Sequence, residues 1–204
     1  IVGKGTRLDL VDGDELTVTG CGTLQCQESG QITLGRGTGL CCGSSHADRI
    51  TLRLKEGGIM RVGSVLNASD PVARLSFARG INTLDCSRGG RLIITARGVC
   101  ECNAHAGAPT ASSIQAIDFS SGGSLFIAAH GLLSVSSNAS GDGIDLLLDG
   151  ATISGAGLVG ITGSAFCGKL QPNLTSATGL TAAELVRLLV QTKTNLACST
   201  VYFD

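Results

Sequence analysis

The chain has 204 residues, with 15 Lys plus Arg against 16 Asp plus Glu, a net charge of −1, 43 % hydrophobic residues and 3 % aromatic residues with no Trp. That length suits one core, the aliphatic content excludes a disordered chain, and the absence of a basic stripe argues against a nucleic-acid partner. No apolar run reaches the roughly 18 to 20 residues of a membrane span, and no secretory leader follows Ile1, so an exported form would already have lost its signal.

The first element in chain order is Leu8-Asp-Leu-Val-Asp-Gly-Asp-Glu-Leu16, in which two apolar residues flank a polar one, a glycine turn follows and a second apolar run begins. The pattern returns as Leu52-Arg-Leu-Lys-Glu-Gly-Gly-Ile-Met60, Leu84-Asp-Cys-Ser-Arg-Gly-Gly-Arg-Leu92 and Ile117-Asp-Phe-Ser-Ser-Gly-Gly-Ser-Leu125. A looser copy is Ile144-Asp-Leu-Leu-Leu-Asp-Gly-Ala-Thr152. Copies start 44, 32, 33 and 27 residues apart, a spacing that suits coils with corners of variable length, and the long first interval has room for an extra strand around Gln31–Leu34. Within each copy the period is two, so Leu52 and Leu54, or Ile117 and Phe119, face one side and the residue between them faces the other.

Such a unit cannot bury its apolar face alone, whereas stacked copies form continuous aliphatic ladders with glycines turning the corners. In the shape of its repeat, residues 6 to 165 resemble the right-handed parallel β-helix superfamily, which includes pectate lyase-like enzymes, autotransporter passengers and phage tailspikes. The resemblance implies an all-β parallel solenoid over 1–170, with 171–204 as the cap and tail of the same domain. An antiparallel β-sandwich is the alternative, because Gly-Gly turns also close hairpins. After Pro172, Thr181-Ala-Ala-Glu184 reads as a capping box, and Leu185, Leu188 and Leu189 predict an amphipathic helix to about Ala197 that covers the solenoid's end. The tail Val201-Tyr-Phe203 is apolar enough to add a last strand or to meet a neighbouring subunit.

Aligned copies put Asp9, Arg53, Asp85, Asp118 and Asp145 in one outward column. Stacked carboxylates from Asp85, Asp118 and Asp145 suit three roles. Two of them can act as general acid and base on a glycosidic bond, a use that the β-helix resemblance also implies. Together with Asp142, Asp118 and Asp145 can offer oxygen ligands to Ca2+, the one cofactor the sequence suggests; Ser140–Leu148 resembles a single calcium-binding RTX nonapeptide. The third role, which we prefer, is turn capping, with each Asp accepting hydrogen bonds from the turn that follows it.

Nine cysteines point to an oxidising compartment. Cys86 sits at an inward position of its copy and is expected to be a buried free thiol. Cys21, Cys26, Cys41, Cys42, Cys100, Cys102, Cys167 and Cys198 are then disulfide candidates, with Cys21–Cys26 and Cys167–Cys198 as possible pairs. Asn67, Asn138 and Asn173 each head an Asn-x-Ser/Thr glycan acceptor. His105 and His130 lie at no telling distance from a nucleophile and are expected in loops.

These readings point to a secreted structural or adhesive module at the cell surface, whose partners are further copies of itself or other extracellular components, and which assembles into filaments or a coat. A polysaccharide-active enzyme using the Asp column is the runner-up. An ice- or mineral-binding face comes last, because Thr17, Thr19, Thr95 and Ser124 form no regular array.

Overall fold

A computed structural model describes residues 1–45, 47–63, 70–104, 114–137, 144–147, 151–167, 173–181 and 200–202. The chain winds through successive circuits of three short strands. The first circuit is β1 (Arg7–Leu10), β2 (Glu15–Val18) and β3 (Cys21–Cys26), and the second is β4 (Gln31–Leu34), β5 (Gly39–Cys42) and β6 (Arg49–Lys55). Next come β7 (Ile59–Val62), β8 (Ala73–Phe77) and β9 (Ile81–Arg88), followed by β10 (Arg91–Ile94), β11 (Gly98–Ala104) and β12 (Ile114–Asp118). The series continues with β13 (Ser124–Ile127), β14 (Leu132–Ser137), β15 (Ile144–Leu147), β16 (Thr152–Ser154) and the long β17 (Leu158–Cys167).

From β1 to β14 each strand pairs in parallel with the strand three positions on, which makes the fold a parallel β-solenoid and rules out the sandwich. One flank is the seven-stranded sheet β1-β4-β7-β10-β13-β16 closed by β19 (Thr200–Tyr202), so the apolar tail does supply a last strand. The other two flanks are arms of a twelve-stranded sheet joined by β17, whose first half pairs with β14 and whose second half pairs with β15. Along the seven-stranded flank the register runs Arg7, Gln31, Ile59, Arg91, Ser124, Thr152, in steps of 24, 28, 32, 33 and 28 residues.

The expected alternation holds. Inward columns such as Ile32–Met60–Leu92–Leu125–Ile153 are 0–1 % exposed. Each such side chain contributes roughly 1.5 to 3 kcal/mol by leaving water. The copies starting at Leu52, Leu84 and Ile117 all lie at one corner, where an arm of the twelve-stranded sheet turns into the seven-stranded flank. Their Gly-Gly pairs divide the work. Gly57, Gly89 and Gly122 take φ of 83°, 73° and 99° to turn the chain. Gly58, Gly90 and Gly123 instead lie so close to the carbonyl oxygens of Cys26, Leu54 and Cys86 on the preceding circuit that a Cβ would not fit.

Two alignments are corrected. Leu8–Leu16 belongs to a different corner: Asp9 is in β1 on the seven-stranded flank, opposite Thr33, and the true first member of the Gly-corner series is Leu24-Gln-Cys-Gln-Glu-Ser-Gly-Gln-Ile32. Asp145 pairs with Ala116 rather than Asp118, a slip of two residues that a period-two pattern does not detect. Residues 173–181 form β18 (Asn173–Thr181), antiparallel to β17, and the expected helix over 182–197 lies outside the described residues.

The two ends of the solenoid differ. At the N-terminal end, Leu8, Leu10, Leu16, Val18 and Leu24 occupy inward positions yet are only partly buried, whereas Ile32, Leu34 and Leu52 on the next circuit are sealed. At this end Val2 pairs in parallel with Cys26, and the Gly5 N–H donates to the Glu28 carbonyl.

Candidate functional site

The outward column on the arm containing β3, β6, β9, β12 and β15 reads Gln25, Arg53, Asp85, Asp118, Leu147. Asp85 and Asp118 are therefore neighbours about 4.8 Å apart along the ladder, but their oxygens are engaged. Arg53 Nε donates to Asp85 Oδ2 at 2.7 Å, and the Ser87 hydroxyl and backbone N–H donate to Oδ1 at 2.7 and 3.1 Å. Asp118 Oδ1 accepts the Ser120 N–H at 2.8 Å. Both side chains thus cap the turn after their strand.

Burial pushes the Asp85 carboxyl up, but the hydrogen bonds from Ser87 and Arg53, together with the Arg53 charge, outweigh it and hold the group below its ordinary value. A general acid needs the opposite shift. A lowered native pKa stabilises the fold above the ordinary Asp value of about 4 and loses that contribution as pH falls through the lowered value. Asp85→Asn is accordingly expected to be less stable than the parent at pH 7, with the gap narrowing as pH drops below about 4. Urea midpoints across a pH series check this, and a gap that stays constant down to acid pH would show that the carboxylate charge is irrelevant.

Other buried polar groups are structural as well. Asp48 accepts the N–H groups of Gly20, Ser44 and Ser45 at 2.9, 2.7 and 3.0 Å and joins two corners. The Ser44 and Gly20 N–H groups lead in holding its carboxyl below the usual range. Asn82 accepts the Ile50 N–H and donates to the Arg79 carbonyl.

Cys21, Cys26, Cys41, Cys42, Cys86, Cys100 and Cys102 are free thiols. A Cys21–Cys26 bridge is corrected on geometry: the two residues open and close the same extended strand, about 16 Å apart at 3.3 Å per residue, and a disulfide needs Cα atoms within about 7 Å. Cys86 is fully buried, as its place in the repeat predicts, and Cys26, Cys42, Cys100 and Cys102 join it in the core. Burial, with Cys41 and Cys100 adding to it, pushes the Cys42 thiol up to about 12. Burial also raises Cys26 and Cys86, while Cys102 is raised first by its hydrogen bond with Cys100 and then by burial. In the native protein a thiol reagent should modify exposed Cys21 first and half-buried Cys41 more slowly, reaching the five core thiols only after unfolding. Peptide mapping of the labelled protein checks that order; early labelling of Cys86 would contradict its inward placement.

Among the described residues no three His, Cys, Asp or Glu side chains converge on a metal site. Of the calcium candidates, Asp142 lies outside the described residues, and Asp118 and Asp145 stand two register positions apart. Asn67, Asn138, His105 and Cys198 also lie outside the described residues. Asn173 opens β18, Cys167 closes β17, and His130 is an exposed turn residue with φ 64°.

One recess was not anticipated from sequence. It is an open hollow of about 620 Å³ on the outer face of the seven-stranded sheet, across β7, β10, β13 and β16. Its floor is an outward column in which Arg61, Ile93, Phe126 and Ser154 stand on successive strands. Arg91, Ser124 and Thr152 form the column beside it, and Thr95 completes the wall. Arg61 and Arg91 sit diagonally on neighbouring strands, with Cα atoms about 8 Å apart. Elsewhere Arg53, Arg74 and Arg36 are held by Asp85, Glu101 and Asp70. Among the described residues neither Arg61 nor Arg91 forms an ion pair or side-chain hydrogen bond, and no acidic residue lines the recess. The signal that marks it is a break in alternation: β10 and β13 carry Ile93 and Phe126 at outward positions where most strands place polar residues.

No helix among the described residues is long and apolar enough to cross a membrane. In comparisons with known proteins, no family model, no curated protein and no solved structure matches the chain.

Proposed function

We propose that this β-solenoid is a structural and adhesive module of an extracellular surface, built to stack end to end with further copies of itself. The observation that carries the reading is the first circuit, where Leu8, Leu10, Leu16, Val18 and Leu24 face inward yet are only partly buried among the described residues. Among the described residues no strand pairs with the outer edges of β1 and β2, and the surface that best matches such an edge is another parallel circuit. The seven-stranded sheet runs from β1 to β19, so a β19-to-β1 contact between copies would continue one parallel ladder. A head-to-tail contact of this kind does not close on itself and yields filaments.

The parallel circuits and Gly corners support placing the fold with the right-handed β-helices. Export, glycans on Asn67, Asn138 and Asn173, and contacts with other surface components belong to the same proposal.

Sedimentation and electron microscopy of the purified chain test the assembly. The expected result is concentration-dependent rods that Leu16→Glu disperses into folded monomers. A parent protein that remains monomeric at millimolar concentration would overturn the proposal. The second reading, polysaccharide cleavage, rests on the Asp85–Asp118 pair. Turnover of a polysaccharide that is lost in folded Asp118→Asn would establish it.

A further inference from the structure

We propose that the recess on the seven-stranded sheet binds an acidic carbohydrate, a sugar ring carrying a carboxylate or sulfate. The anion would be taken by Arg61 and Arg91, two guanidinium groups that line the recess and form no ion pair among the described residues. Each guanidinium offers a fork of N–H donors that matches an oxyanion, and two such forks on a diagonal can share one anion or hold two in succession. Leaving two cations side by side without a carboxylate is unfavourable for the folded protein alone, and an anionic ligand relieves it.

The rest of the lining selects the body that carries the anion. Ile93 and Phe126 form an apolar floor one strand apart, and Ser124, Thr152, Ser154 and Thr95 surround it with hydroxyls. A sugar ring offers both complements, a face of C–H groups for Phe126 and a rim of hydroxyls for the serines and threonines. The volume of about 620 Å³ lies within the usual range of small-ligand sites. The recess also runs across four strands along the solenoid axis, which suits a chain of sugars better than a single compact anion.

Other occupants fit less well. A polynucleotide needs a longer run of cations and several stacking rings, whereas the lining supplies two arginines and one phenylalanine on a chain of net charge −1. A peptide adding itself as a strand needs a free sheet edge, whereas β10 and β13 are paired on both sides. The recess lies on a different flank from Asp85 and Asp118 and does not depend on end-to-end assembly.

Isothermal titration of the whole chain with a uronic acid tetrasaccharide tests the assignment. Its carboxyl-reduced neutral counterpart, a sulfated tetrasaccharide and a short oligonucleotide serve as comparisons. The acidic sugars are expected to bind and to weaken with added salt, and the neutral counterpart to bind at least about tenfold more weakly. Arg61→Gln and Arg91→Gln should each weaken binding about tenfold or more, while Arg36→Gln, at a corner outside the recess, leaves it unchanged. Phe126→Ala should weaken acidic and neutral sugars alike.

The proposal is overturned by no binding of either acidic sugar at millimolar concentration, by equal binding of the neutral counterpart, or by tighter binding of the oligonucleotide. Undiminished affinity in a folded Arg61→Gln, Arg91→Gln double variant overturns it too. The salt and carboxyl-reduction comparisons need only the parent protein, so they decide the matter even where a variant folds poorly.

Discussion

Gly90→Ala is expected to destabilise the solenoid by about 3 kcal/mol, and Gly89→Ala, one residue earlier, by only about 1 kcal/mol. At Gly89 the φ of 73° is the whole difficulty, because its Cβ direction meets nothing closer than the Gly57 nitrogen at 3.8 Å. At Gly90 no positive φ is involved, but a Cβ would drive into the Leu54 carbonyl oxygen, the Leu54 Cβ and the Cys86 Cα. None of these is the free end of a flexible side chain. The Gly90 N–H is bonded to the Cys86 carbonyl and the next N–H, of Arg91, to the Gly58 carbonyl, so the corner cannot move aside without breaking the stack. Urea titrations read both effects as midpoint shifts at constant slope. Equal losses at the two positions would mean that close stacking at this corner contributes little.

The second large effect contrasts two phenylalanines seven residues apart. Phe119 is fully buried against the core, and Phe119→Ala should cost about 3 to 5 kcal/mol by leaving a cavity that the stacked circuits cannot collapse into. Phe126 faces outward on the recess, and Phe126→Ala should cost about 1 kcal/mol or less. Thermal or chemical unfolding of the pair tests the alternation itself. Similar losses at both sites would mean that Phe126 is part of the core and unavailable to a ligand.

The solenoid was legible because its local rules are strict. Apolar residues at every second position, followed by two glycines, occur where a strand must bury one face, turn and pass close beneath the previous circuit, and three copies repeat this at one corner. What the pattern does not encode is which corner it marks. Leu8–Leu16 shows the same apolar-turn-apolar rhythm at another corner, whereas Leu24–Ile32, the true equivalent, hides behind Cys26 in an apolar position and Ser29 in place of a turning glycine. Asp145 was displaced by two residues because such a slip leaves every side chain on its correct face.

The candidate site divides in the same way. Turn capping by Asp85 and Asp118 was readable because the acceptor and the Ser N–H it binds lie two residues apart. The recess was not, because Arg61, Arg91 and Phe126 come from three circuits about 30 residues apart and become neighbours only through the register. Cysteine density suggested disulfides, whereas inward placement makes Cys42, Cys100 and Cys102 small hydrophobes, a distinction visible in advance only for Cys86, where a repeat copy supplied the alignment.

The winding has a mechanical consequence. From β1 to β14 each strand pairs along the stack with the strand three positions on, so tension applied along the axis falls on one pair of circuits at a time. Each circuit that peels away releases 24 to 33 residues, about 80 to 120 Å of contour at roughly 3.3 to 3.6 Å per residue. Under load the molecule would lengthen in discrete increments and dissipate work at every one.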